Sequence, residues 1–303
     1  MSRFVQFSEF GGPEVLRVAD VENPQPGSGM VRVRVKAAGL NPVDHKIFAG
    51  GPAATAYGVA LPSGNGNDFS GTVDAVGEDV SEWAVGDEVL GGFRFHAQAD
   101  FVVVDAARVI RKPELLTFEQ AGALDIAGRT AWASVASQRL DECDTVLVSA
   151  AAGGVGVIAA QLAVQAGATV VGTASEENHD FLRSLGVIPV AYGDGLEDRV
   201  RAVVTRLTAV LDNNGRATID AGLALGVEPD RINTIAARGY ASGVRGVGGQ
   251  DADIHDLARV AKLVAAGTIV LPVDSVFPLE RITEAYQRMI AGHLRGKIVV
   301  VTD

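Results

Sequence analysis

Cysteine is almost missing from this chain: Cys143 stands alone among 303 residues. One thiol excludes an intramolecular disulfide framework and any zinc site built from clustered cysteines, and it fits a reducing compartment. Basic residues are outnumbered, 26 Lys and Arg against 37 Asp and Glu, for a formal net charge of −11. Nucleic acid and anionic membranes bind through clustered positive charge; with no basic stripe, neither is expected as a partner. Long apolar runs are lacking as well. The most apolar stretches, such as Val155–Val164, are shorter than a bilayer span and are interrupted by Gln161 and Gln165. Met1-Ser2-Arg3-Phe4-Val5 enters a strand-like alternation directly, without the charged head and apolar stretch of a secretory signal, so a cytoplasmic location is expected. The five His show no metal-ligand spacing. No Tyr is followed four residues later by Lys, and neither a Gly-x-Ser-x-Gly elbow nor a phosphate-loop lysine motif occurs.

What is present is a chain long enough for two domains, 48% hydrophobic, with two rhythms. Through about residue 120 it reads as β-rich. Met30–Lys36 alternates Val31, Val33 and Val35 with Arg32, Arg34 and Lys36, as a strand with one wet face does. Phe69–Val76 and Asp100–Val104 read as further strands, and Val85-Gly86-Asp87-Glu88 as a turn. At Thr117-Phe118-Glu119-Gln120 a capping box opens a helical stretch running to about Arg139. Strands at Thr145–Ser149, Thr169–Thr173, Val187–Val190 and Ala209–Asp212 then alternate with helices at Gly154–Gln165, Glu176–Ser184 and Leu196–Leu207. That alternation implies βαβ units and a parallel sheet. After about Ala266 come a strand at Pro272–Phe277, an amphipathic helix at Leu279–Ala291 and a terminal strand at Lys297–Val301. The expected architecture is α/β: a doubly wound parallel-sheet domain, residues 121–266, inserted into a β-rich domain made of residues 1–120 and 267–303.

The glycine-rich turn Ser149-Ala150-Ala151-Ala152-Gly153-Gly154-Val155-Gly156 follows a strand and opens a helix. In that context Gly153 lets backbone approach a pyrophosphate, Gly156 lets helix and sheet pack closely, and the helix N-terminus favours the anion. Ala151 replaces the first glycine of the generic template. The acid expected at the tip of the next strand, where it would hold a ribose 2′-hydroxyl, is missing: the strand ends Thr173-Ala174-Ser175. A serine there can hydrogen-bond a 2′-phosphate without repelling it, which points to NADP. Glu176 and Glu177 follow at once, either as favourable charges in a helix first turn or as partners of a 2′-hydroxyl.

Taken together, these motifs resemble the zinc-free quinone oxidoreductase (zeta-crystallin-like) branch of the medium-chain dehydrogenase/reductase superfamily. The resemblance runs over nearly the whole chain. It covers Phe10-Gly11-Gly12-Pro13-Glu14-Val15-Leu16, Ala38-Gly39-Leu40-Asn41-Pro42-Val43-Asp44, Gly71-Thr72-Val73-Asp74-Ala75-Val76-Gly77 and Gly86-Asp87-Glu88-Val89. It continues through the glycine loop, Leu185-Gly186 and Arg295-Gly296-Lys297-Ile298-Val299. It implies a GroES-like catalytic domain around a Rossmann domain, NADPH as cofactor and a homodimer. Two departures stand out. Glu177-Asn178-His179 occupies the place where members often carry a basic residue for the 2′-phosphate, and the segment Asn213–Gly249 lacks the usual Val-Gly-Gly turn after Asp212.

Zinc-using relatives polarise an oxygen with a metal held by Cys and His. Here the corresponding regions read Asn41-Pro42-Val43-Asp44 and Gly66-Asn67-Asp68, so no metal is expected. The implied reaction is then hydride delivery to an acceptor that is already electrophilic, a quinone or an α,β-unsaturated carbonyl. An enoyl or alkenal reductase of secondary metabolism and a non-catalytic NADPH-binding protein are the alternatives. Asn41 is a candidate hydrogen-bond donor to the acceptor oxygen and equally a helix N-cap, with Asp44 lining the site or ordering a water. Thr130, in Gly128-Arg129-Thr130-Ala131, matches the family's segment at the nicotinamide, although a helical Thr can also bond its own backbone. Tyr192 matches a family Tyr near the adenosine phosphate, with Asn178 a possible neighbour. The cofactor set is therefore Thr130, Ala151, Gly153, Gly154, Val155, Gly156, Ser175, Asn178 and Tyr192. Tyr57, Phe93 and Phe95 are candidates for the acceptor pocket or for simple packing.

Overall fold

A computed structural model describes residues 1–302. The chain opens with strands β1 (Ser2–Phe7), β2 (Arg17–Val21) and β3 (Met30–Gly39), then helices α1 (Pro42–Phe48) and α2 (Gly51–Ala56). Strands β4 (Ser63–Gly64), β5 (Asp68–Val76), β6 (Glu88–Gly92), β7 (Phe101–Asp105) and β8 (Val109–Arg111) follow, before helices α3 (Phe118–Gly122) and α4 (Asp125–Ala136). Next come β9 (Thr145–Val148), α5 (Gly154–Gln165), β10 (Thr169–Ala174), α6 (His179–Ser184), β11 (Ile188–Ala191), α7 (Leu196–Val203) and β12 (Ala209–Asp212). The run continues with α8 (Arg216–Ala224), β13 (Ile232–Thr234), β14 (Arg245–Gly246) and α9 (Ile254–Ala265). The chain closes with β15 (Val273–Pro278), α10 (Ile282–Ala291) and β16 (Lys297–Val301). By packing it divides into one unit of residues 1–126, 273–292 and 297 onward, and another of residues 127–272 and 293–296. Among the described residues no helix is long and apolar enough to cross a membrane.

In the first unit β3 is the organising strand, pairing antiparallel with β5, β7 and β16. The alternation read from the sequence is realised: Val31, Val33 and Val35 are fully buried. Arg32 on the opposite face pairs with Asp74 at 2.6 Å, and Arg34 stacks over the Phe101 ring at 4.5 Å. The helical stretch predicted from Thr117 begins with the expected capping box, Thr117 Oγ1 accepting from Gln120 N at 3.2 Å. It then breaks into α3 and α4. The cause is tertiary: the Asp68 carboxylate accepts the Ile126 N–H at 3.1 Å, capping a second helix start that no local residue announces.

The second unit carries a six-stranded sheet in the order β11-β10-β9-β12-β13-β14, every pairing parallel. Counted along the chain this is the 3-2-1-4-5-6 order of the doubly wound dinucleotide-binding sheet. Its first four strands were legible from periodicity; β13 and β14, three and two residues long, were not. Helix α5 is buried along most of its length, and its buried polar member Gln161 is satisfied by giving to Val270 O at 2.9 Å and taking from Val270 N at 2.8 Å. The predicted Leu196–Leu207 helix stops at Val203, because Val204 turns to an extended backbone (φ −140°, ψ 146°).

Helix α5 meets the turn before it at Gly156, where an added Cβ would lie 2.1 Å from Ala150 O and 2.9 Å from Ala151 Cα. Both obstacles are backbone and cannot yield cheaply. Gly156→Ala should therefore destabilise the protein by about 1–3 kcal/mol, read as a lower midpoint in urea unfolding; an unchanged midpoint would mean that the turn can relax.

Candidate active site

The two regions where zinc relatives keep their ligands come together in the first unit, filled by a buried polar network. Asn41 precedes α1 and is 2% exposed. Its backbone N–H is taken by Asp44 Oδ2 at 2.9 Å, the reciprocal half of a capping box, while the Asp44 N–H bonds the Asn41 carbonyl at 3.0 Å and the Asn41 side chain makes no cap hydrogen bond. That side chain donates from Nδ2 to Asp68 Oδ2 at 3.0 Å and accepts at Oδ1 from Lys297 Nζ. Lys297 also donates to Leu40 O at 2.7 Å and lies 3.6 Å from Asp68 Oδ2.

Asp44 is enclosed, at 1% exposure, instead of lining an open surface. Besides the Asn41 N–H it accepts from Asn67 Nδ2 and from the Tyr286 hydroxyl at 3.3 Å. Tyr286, on α10, is fully buried with its ring edge-on to Phe48 at 5.0 Å. Its oxygen accepts from Gln98 Nε2 at 2.8 Å and Asn65 Nδ2 at 3.0 Å, so its proton is left for Asp44. Burial, followed by the nearby Asp68 charge, pushes the Asp44 carboxyl up to about 7. Burial pushes the Lys297 ammonium down, against the pull of Asp68 and Asp44, and pushes the Tyr286 phenol well above its ordinary value.

A metal does not fit this donor set. The side chains at the two ligand regions are amides and carboxylates already bonded to one another, with an ammonium among them. Among the described residues no group of three or more His, Cys, Asp or Glu side chains is arranged to hold a metal ion.

Of the aromatic candidates, half-exposed Tyr57 ends α2 and carries Arg94 over its ring at 4.2 Å. Phe93 stacks on His96 at 4.7 Å, and Phe95 has a left-handed backbone (φ 69°). The 93–98 loop is tied to Asn65 and Asn67 by Phe93 N to Asn67 O at 2.8 Å and Gln98 N to Asn65 O at 3.2 Å. All three aromatics thus border the segment that supplies two members of the network.

In the second unit the glycine turn sits at the C-terminal end of β9, beside β12, where the strand order reverses. Ala150 takes a left-handed backbone (φ 48°), its N–H held by Thr173 Oγ1 at 3.1 Å, while Ala151 N reaches Thr173 O at 2.9 Å. Ala151 is buried; Gly153 and Gly154 are partly exposed, as is Val155. A Cβ at Gly153 would meet only Ala150 O, at 3.3 Å, leaving its other side open as a phosphate approach requires. Thr130, on α4, is buried at 5% exposure.

At the tip of β10 the structure supplies the cation that the local sequence lacked. Asn178 Nδ2 donates to Ser175 Oγ at 3.2 Å, and Arg295 Nε donates to Asn178 Oδ1 at 2.9 Å. Arg295 is brought there by the 293–296 segment, anchored on the glycine turn through Gly296 N to Ala152 O at 2.7 Å. Tyr192, exposed at the end of β11, meets His293 Nδ1 at 3.3 Å. Glu176 and Glu177 are exposed. Arg295, His293, Lys297, Tyr286, Gln98 and Asn65 escaped the sequence reading as site residues. Only the Arg295-Gly296-Lys297 motif carried a signal, and it marked kinship without marking a role.

A parallel sheet in this order with a glycine turn at its switch point defines a dinucleotide-binding oxidoreductase fold. The comparisons with known proteins agree. Residues 27–114 match the family model for the alcohol dehydrogenase GroES-like domain, and residues 127–300 match that of the zinc-binding dehydrogenases. The quinone oxidoreductase of Mus musculus is 30% identical over 338 aligned positions, covering 99% of this chain and 98% of that protein. The structure of the quinone oxidoreductase from Coxiella burnetii superposes with a TM-score of 0.90 at 32% identity, over 100% of this chain and 99% of that one. A mycobacterial protein solved in complex with NADPH gives a TM-score of 0.87 at 27% identity, over 99% and 100%. The chain belongs to the medium-chain dehydrogenase/reductase superfamily, in its zinc-independent, quinone-oxidoreductase-like branch.

Two measurements check the network. The Asp44 carboxyl carbon should titrate near 7 in an NMR pH series, since the folded state holds its proton more tightly than the unfolded chain. Its contribution to stability is then full below about 4, the ordinary carboxyl value, and is lost as pH rises through about 7; a midpoint near 4 would contradict the burial argument. Tyr286→Phe strands the Gln98 amide and one Asp44 lone pair, and should cost about 1–3 kcal/mol in urea unfolding.

Proposed function

We propose that the protein is an NADPH-dependent reductase of quinones or other activated α,β-unsaturated carbonyls, working without a metal. The observation that carries the cofactor reading is the hydrogen-bonded series Arg295–Asn178–Ser175 at the tip of β10. A guanidinium, an amide and a hydroxyl stand where a carboxylate would select a free 2′-hydroxyl, and they suit a 2′-phosphate. Tyr192 and His293 would flank the same phosphate. Gly153, Gly154, Val155 and Gly156, with Ala151, would hold the pyrophosphate against the start of α5, and the Thr130 hydroxyl would meet the nicotinamide end. The mycobacterial relative with bound NADPH supports this assignment.

When bound, NADPH supplies the hydride. The chain's own part is to receive the negative charge that grows on the acceptor oxygen. Asn41 is the proposed donor: one of its two amide protons is committed to Asp68, and the other is left for substrate. A neutral amide accommodates a developing anion, and no Lewis acid is required when the acceptor is electrophilic at the outset. That restricts the substrates to quinones and conjugated carbonyls, in keeping with the named activity of the mouse and Coxiella relatives. Asp44 serves in this reading by holding the Asn41 backbone in place, while Tyr57, Phe93 and Phe95 offer apolar surface to a flat acceptor. The reading also includes a cytoplasmic location, for which the single exposed Cys143 is suited, and a homodimer, for which the short exposed edge strand β14 is available.

Steady-state assays with one quinone should give a higher kcat/KM for NADPH than for NADH; a ratio at or below one would reassign the cofactor as NADH. Arg295→Ala should lower that ratio about 10- to 100-fold by removing a charged phosphate contact, with NADH kinetics little changed. Activity should also persist after exhaustive chelation, and its loss together with a stoichiometric metal would overturn the metal-free reading.

A further inference from the structure

Lys297 is a lysine buried to 5% exposure at the start of the last strand, a costly place for a charge. Its ammonium has three donors, and three oxygens surround it. Leu40 O lies at 2.7 Å, Asp68 Oδ2 lies at 3.6 Å, and Asn41 Oδ1 makes a short bond. Two donors are spent on Leu40 O and Asn41 Oδ1 and the charge is paired with Asp68, so the clearest route for an effect on chemistry is through these partners. The partner that matters is Asn41, whose amide lies between an ammonium, which can only donate, and a carboxylate, which in its ionised form only accepts. An amide between neutral partners can turn over and exchange its oxygen and nitrogen. Here one orientation alone satisfies both neighbours: Oδ1 toward Lys297 and Nδ2 toward Asp68. The direction of the second N–H is thereby set. The positive charge on the carbonyl side also draws electron density from the nitrogen and strengthens that N–H as a donor.

We infer that Lys297 is a positioning residue for the reduction, locking and polarising the Asn41 amide so that its second N–H is presented to the acceptor oxygen. This rests on the donor role of Asn41 proposed above. Asp68 completes the lock from the other side, its second oxygen tied to the Ile126 N–H at 3.1 Å.

The test is a double-mutant cycle in the full chain with saturating NADPH and one quinone. Asn41→Ala should lower kcat, and Lys297→Met should lower it about 10- to 100-fold with the NADPH dissociation constant unchanged. The double variant should be no slower than Asn41→Ala alone, because Lys297 acts only through that amide. If Lys297→Met multiplies the loss equally in both backgrounds, or leaves kcat unchanged where Asn41→Ala lowers it, this inference is overturned while the donor role stands. If Asn41→Ala itself leaves kcat unchanged, the donor role falls and this inference with it. Should Lys297→Met fail to fold, the same cycle is run with Lys297→Gln, which keeps an N–H for Asn41 Oδ1 without the charge. A kcat loss that disappears in the Asn41→Ala background supports the inference, and a loss of equal factor in both overturns it. A readout independent of turnover is the Asn41 side-chain N–H2 pair in NMR spectra of the cofactor-free protein, assigned by its disappearance in Asn41→Ala. The pair should move in the Lys297 variants; resonances that stay in place would overturn the lock.

Discussion

Charge cannot be buried unpartnered at tolerable cost, and the first unit buries Asp44, Asp68 and Lys297 within one hydrogen-bonded cluster. Removing one partner from such a set leaves the others stranded, at a cost of several kcal/mol. The rest of the site is arranged around that constraint. Lys297 ties the last strand to Asn41, and Asp68 ties β5 to the start of α4. Asp44 ties α1 to α10 through Tyr286. Five segments remote in sequence are thus held in register by polar contacts inside an otherwise apolar core.

The same constraint accounts for the chemistry this branch of the superfamily forgoes. A divalent metal brings its own charge and needs soft or anionic ligands with open geometry. In this chain those positions carry amides and carboxylates engaged with each other and with an ammonium. What remains is a neutral amide, Asn41, hydrogen-bonded between a buried cation and a buried carboxylate.

The second unit follows a different logic. The parallel sheet presents the C-terminal tips of β9, β10, β11 and β12 together, carrying the glycine turn, Ser175, Tyr192 and Asp212. Asp212 binds Ser149 Oγ at 3.0 Å and the N–H groups of Asn214 and Gly215, which organises the segment after β12 where the familiar Val-Gly-Gly turn is missing. The positive charge comes from elsewhere: Arg295 reaches the tip of β10 from a segment more than a hundred residues downstream.

Much of the fold was legible because it is written locally. The Val31–Val35 alternation, the capping box at Thr117 and the glycine turn between a strand and a helix each express a short-range rule, and each appears in the structure where the sequence placed it. The break between α3 and α4 was illegible because its cap, Asp68, lies 58 residues away. The site divided in the same way. Asn41, Asp44, Ser175 and Asn178 could be singled out by residue type and motif, but not by their bonds. Asn41 read equally as a donor or a cap, and only the fold shows its amide bonded to Asp68 and Lys297 with no side-chain cap bond. Tyr286, on an amphipathic helix, read as one more core aromatic. By itself the sequence determined the strand and helix periods, the glycine-rich turn between β9 and α5 and the absence of soft metal ligands, because these depend on neighbours along the chain. Only the tertiary structure decided which side chains share a buried hydrogen bond, because such bonds join residues that folding alone brings within 3 Å, as it does Asn41 and Asp68.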